Sequence, residues 1–155
     1  MIVPALTEKE FGMRRLSVVV LGVLLTSAIV KAQPQPWHEH ARLTLIRMLQ
    51  GPGGVTVAQS VQRITHPTGS DANLQNYDIQ HVGDGISVKL YVTWSGGLGA
   101  AHTTTVAWDF DRRRHRSAAV LSDNAAFAAS EKAARQLDTY FRDELYPVLR
   151  QNMGE

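Results

Sequence analysis

His38-Glu39-His40 sets two imidazoles two positions apart, a pair that an extended strand would point at one ion. On a helix the same two side chains diverge by about 160°. A helix starting at Trp37 therefore predicts a structural or solvent-facing role for both. A copper or zinc site on His38 and His40 requires an extended amino end and a further, distant histidine. The second place with chemical potential is the corner from Trp94 to Thr104. Gly96, Gly97 and Gly99 separate Trp94 from His102, so an aromatic ring, an imidazole and hydroxyls surround flexible backbone. Those are the parts of a ligand pocket. Trp94, Gly96, Gly97, His102 and Thr104 are the candidate ligand-binding residues, although the same types are ordinary strand and turn residues.

Acids and bases cluster a little further on. Asp109 and Asp111 share a strand face, and Asp123 follows the next strand, so the three carboxylates are expected at one end of a sheet. Such a group can hold calcium or run hydrolysis. Arg112, Arg113, Arg114 and Arg116 occupy the same turn, and neutralising them is the simpler task for the acids. That arginine run is a candidate interaction patch for an acidic partner or lipid head groups. A hydrolase reading would use His102 or His115 with Asp109 or Asp123, which requires hydrogen-bonding reach between the two groups. No Gly-x-Ser-x-Gly turn is present, and the chain has no cysteine. The glycine-rich SGGLGAAH run leads into a strand and lacks a lysine, whereas a phosphate-binding loop must enter a helix. Nothing in the sequence calls for a cofactor.

The elements that must position these residues follow from periodicity. From Gly85 to Asp111 the apolar residues alternate, first Ile86, Val88, Leu90, Val92 and Trp94, then Thr104, Val106, Trp108 and Phe110. This is the period of two half-buried strands, and the glycines between them predict an antiparallel hairpin. Leu74 to Val82 alternates in part and predicts a preceding strand, with Tyr77, Ile79 and His81 opposed to Asp78, Gln80 and Val82. His115 to Leu121 reads as a fourth strand whose faces the sequence leaves undecided. Trp37, Ala41, Leu45, Met48 and Leu49 recur at helical spacing up to a stop at Gly51-Pro52-Gly53-Gly54. Val55 to Ile64 is expected to be a short helix begun by a Thr56 to Gln59 capping box. A long helix should follow Ser122-Asp123-Asn124, bury Ala134, Leu137, Phe141, Leu145 and Val148, and end or bend near Tyr146 because Pro147 lacks a donor. The fold class is therefore α+β, with N-terminal helices, a four-stranded antiparallel meander and a long C-terminal helix packed on one sheet face.

Met13-Arg14-Arg15, the uncharged run Leu16 to Val30, and the small residues Val30 and Ala32 have the layout of a secretory signal cut after Ala32. Residues 1–32 are thus expected to be a signal peptide, with the true start possible at Met13, residues 33–36 an extended lead-in, and 37–155 a single domain. The alternative is an uncleaved membrane anchor through Leu16 to Val30. Losing Lys9, Arg14, Arg15 and Lys31 together with Glu8 and Glu10 leaves 12 of the 16 basic and 12 of the 14 acidic residues. The remainder has no net formal charge and gives no basis for a nucleic-acid partner. The expectation is a small exported binding or interaction protein, periplasmic or secreted, whose partner is a protein or a small molecule of the envelope. It touches a membrane only through the signal segment.

Overall fold

The computed structural model describes residues 36–125 and 130–155 of the 155-residue chain. The expected signal segment lies outside the described residues, as does part of the alanine-rich stretch expected to open the last helix. Among the described residues no helix is long and apolar enough to cross a membrane.

Two helices come first, α1 over Trp37–Leu49 and α2 over Pro52–Thr65. The glycine-proline run between them does not simply end α1. Gly51 takes the left-handed backbone, at φ 72°, and Pro52 opens α2, where its missing N–H costs nothing. Side chains at Gly53 or Gly54 would collide with the backbone carbonyls of Met48 and Leu49. The glycines therefore permit a turn too tight for any other residue. Thr56 consequently lies inside α2, and its hydroxyl donates to the Pro52 carbonyl at 3.0 Å instead of capping the helix.

A meander of four antiparallel strands follows in the order β1-β2-β3-β4, with β1 over Ser70–Val82, β2 over Gly85–Ser95, β3 over Ala101–Asp111 and β4 over His115–Asp123. β2 and β3 pair without interruption from Gly85 opposite Asp111 to Ser95 opposite Ala101. The alternation predicted from the sequence is the one observed. β1 starts four residues earlier than Leu74 and carries two register shifts, before Asn73 and before Asn76. The second explains why Leu74 and then Tyr77 and Ile79 all pack against the core, since an extra residue changes the strand's phase. In β4 it is Ala118 and Val120 that pack inward, leaving Leu121 exposed.

The C-terminal helical segment begins at Ser130, whose side chain accepts from the Ala133 amide at 3.2 Å. Asp123 belongs to β4, so the predicted cap at Ser122 to Asn124 falls on the end of a strand. The segment runs as α3 over Glu131–Tyr140, a wide π turn over Phe141–Leu145 and α4 over Tyr146–Met153. The π turn inserts one residue and rotates everything after it. Leu149 and Met153 are therefore buried, and Val148 is 45% exposed, where an unbroken α-helix would have buried Val148. Pro147 sits directly behind the π turn, at the start of α4, so near Tyr146 the helix is locally widened and not ended, the second of the two outcomes expected of the proline.

All the helices lie on one face of the sheet. Ile86, Val88, Leu90 and Val92 of β2 and Val106, Trp108 and Phe110 of β3 meet Leu45, Val61, Leu137, Phe141 and Leu149 in one apolar cluster. The opposite face of the sheet carries Ser87, Lys89, Tyr91, Thr93, Thr105 and Asp109, and among the described residues no helix covers it.

Candidate functional site

The two ends of the sheet place the candidate residues in two separate neighbourhoods. At the end where β2 passes into β3, Trp94 and Thr104 face the helices and are buried. The Trp94 indole donates to Thr104 Oγ1 at 2.9 Å, and that hydroxyl donates to Asp123 Oδ2 at 3.2 Å. His66, at the end of α2, bonds the same carboxylate oxygen through Nε2. Asp123 Oδ1 accepts from the Ala125 amide at 2.8 Å. The Trp94 ring stacks on His66 at 4.2 Å and on His102 at 4.5 Å between centroids. Gly69 lies beneath it, since a Cβ there would come within 2.5 Å of the indole.

This corner is closed by its own contacts. Hydroxyl, carboxylate and imidazole stand together, but the Thr104 hydroxyl donates to the carboxylate and has no exposure to solvent. No nucleophile is presented, and the arrangement acts as a fully partnered polar inclusion in the core. Of the candidate ligand residues, Trp94 and Thr104 are buried here, His102 lies over Gly96, and Gly97 is in the exposed turn.

The histidine and aspartate partners differ from those considered from the sequence. Asp123 pairs with His66, not with His102 or His115. His115 accepts from the buried Trp108 indole at Nδ1, at 3.0 Å, and donates from Nε2 to Asp138 of α3 at 2.8 Å. With Nδ1 accepting, Nε2 is the ring nitrogen that carries the proton toward Asp138. Asp109 lies on the opposite sheet face from Trp108, with the Ser117 hydroxyl at 3.5 Å. Asp123 is paired with Thr104 in the register and Asp111 with Gly85, so the three carboxylates occupy opposite ends of β3. They do not gather, because Asp123 ends a strand that runs back along β3.

At the other end of the sheet Asp111 organises the β3–β4 turn. Its Oδ1 accepts from the Arg113 and Arg114 amides at 2.7 and 3.0 Å, and its Oδ2 from Arg116 Nε at 2.8 Å. Burial alone would raise this carboxyl, but the Arg116 bond and the two amide bonds outweigh it and hold it below the usual carboxylate range. Arg116 also reaches Asp84. The arginine run is thereby divided. Arg116 is structural, Arg112 reaches Glu155 only at 3.9 Å, and Arg113 and Arg114 make no ion pair among the described residues.

The turn borders a cleft of about 480 Å³ lined by Trp37, His38, His81, Gly83, Asp84, Asp111, Arg112 and Arg113. His38 does not meet His40 there. It stacks on His81 with centroids 3.8 Å apart and planes 9° from parallel. His40 points elsewhere, as two helical positions require. Among the described residues no group of three or more histidine or carboxylate side chains is placed to hold a metal ion.

A third feature carried no signal in the strand pattern. Between α2 and the C-terminal helices runs a groove of about 380 Å³, lined by Met48, Val57, Leu145 and Val148, with Ser60, Tyr140, Glu144 and Asn152 among them. Burial pushes the Tyr140 phenol up, and a hydrogen bond from Ser60 pulls it back in part, leaving it above its usual value. Tyr140 is therefore a neutral donor at physiological pH. The groove could be found in the sequence only by pairing faces of two helices about 80 residues apart, which needs the turn and sheet geometry first.

No protein-family model matches the chain, and comparison with curated proteins and with solved structures gives no significant match for any part of it.

Proposed function

We propose that this chain is a small exported binding protein that holds a small, largely apolar molecule in the groove between α2 and the C-terminal helices. The observation that carries the reading is the make-up of that groove. It offers apolar walls with a few polar groups, at a volume within the roughly 300–1,000 Å³ of small-molecule sites. Glu144 is the charged side chain among its lining residues, and Tyr140 and Ser60 add neutral hydrogen-bonding groups. A ligand with an apolar body and a neutral or cationic polar end fits that chemistry. Export is supported by the leader-like run before Gln33.

Binding of the neutral dye Nile red to the purified protein tests the groove. Fluorescence should rise saturably with the wild type. Val148→Trp projects from the groove's exposed rim and should weaken binding by about tenfold or more, a loss of about 1.4 kcal/mol per decade, with the thermal midpoint unchanged. Equal binding by the variant would remove the groove from consideration.

A further inference from the structure

We infer that the cleft between the amino end of α1 and the β1–β2 and β3–β4 turns is a second binding site, selective for an oxyanion such as a phosphate group. This site is separate from the apolar groove and does not depend on it.

The first observation is an excess of donors without acceptors. Arg113 makes no ion pair among the described residues, and Arg112 is 73% exposed with Glu155 only at 3.9 Å. The two imidazoles of His38 and His81 stack face to face beside these guanidinium groups. The carboxylates on the same wall are already engaged. Asp84 and Asp111 both pair with Arg116, and Asp111 accepts two further amide bonds. A cation entering the cleft would meet carboxylates already paired with Arg116 beside the guanidinium groups of Arg113 and the loosely paired Arg112, whereas an oxyanion would meet planar forks that match its geometry.

The second observation is independent of charge. Trp37 forms part of the cleft wall, and its Nε1 is the buried side-chain nitrogen that has no hydrogen-bond partner among the described residues. A buried donor left without an acceptor is costly, so its presence calls for an explanation. The other two tryptophans have their indole donors bonded, Trp94 to Thr104 and Trp108 to His115. A modest turn of the indole would bring Nε1 to the cleft, where a bound oxyanion becomes the acceptor it lacks. The amino end of α1 adds to the same field, since no side chain caps it and a helix begins at its positive pole.

The test is titration of inorganic phosphate into ¹⁵N-labelled protein in the form recovered from cells, following the three indole N–H resonances. Trp37 should move downfield saturably while Trp94 and Trp108 stay in place as internal controls. The exposed-site double variant Arg113→Ala with His81→Ala should bind about tenfold or more weakly, because a guanidinium fork and an imidazole donor are lost together. Co-sedimentation with phosphatidylglycerol vesicles, against phosphatidylcholine, separates the sources of the phosphate. Recruitment lost in the double variant would place the same phosphate on a lipid head group rather than on a free solute. The inference is overturned if neither phosphate nor anionic vesicles move the Trp37 signal, if all three indoles move together, or if the double variant binds as the wild type does.

Discussion

Asp111 is the residue on which the β3–β4 turn depends, and its acid response follows from its bonds. Its native carboxyl titrates below the ordinary carboxylate value of about 3.9. The ionised form is therefore favoured by folding. Its contribution is fully present above the unfolded value and is lost as pH falls through the depressed native one. Urea midpoints measured from neutral to strongly acidic pH should show wild type losing stability over that acid range. Asp111→Asn should start lower at neutral pH and converge on the wild type at the acid end, and parallel curves would refute the assignment. Glu39 and Asp143 are also held down, each by a neighbouring arginine, but both remain open to solvent, which screens the pairs. At this scale the sequence was partly legible. Arg116 did draw in Asp111, as the turn composition implied, but Asp109 and Asp123 bond elsewhere, and the partner choices of His66 and Asp138 were not visible. His66 and Asp123 are 57 positions apart, and no local pattern links them.

Among the elements, the C-terminal helical segment departs most from its reading by periodicity. Leu137, Phe141 and Leu145 follow the 3.6 repeat and are buried as predicted. Beyond them the π turn changes the phase, and a repeat counted along the sequence cannot register an inserted residue. The consequence can be measured. Leu149→Ala should cost about 2–5 kcal/mol, as removal of a packed leucine does. Val148→Ala should stay within about 0.5 kcal/mol, as for other surface positions. Chemical denaturation of the two variants decides the matter, and a reversal of the two costs would mean that the helix is regular through Pro147. The β2–β3 hairpin was legible almost residue for residue, because alternation and glycine spacing are local signals. β1 was less so, because its two register shifts break the period that reveals a strand.

For the whole molecule the order helix, helix, four-strand meander, helical segment was readable, since each element carries its own pattern and neighbours in sequence are neighbours in space. The clefts were not, because each one is made by two or three elements whose relative placement no single pattern encodes. The export proposal belongs to this scale. Intact-mass analysis of protein from the native host should find a chain beginning at Gln33, and retention of residues 16–30 would favour the anchored alternative. With no cysteine in the sequence, the exported chain would have to be held by packing alone.

The meander has a kinetic corollary. Since β1 closes on β2, β2 on β3 and β3 on β4 through short turns, no strand has to wait for a remote segment before it finds its mate. The entropy of closing large loops is thus avoided at each stage of zippering. Among the described residues the final helix has the furthest to travel, since it must come back to meet α1 and so bring the two ends of the domain together. Its docking is the step expected to limit the speed at which the polypeptide reaches its native state.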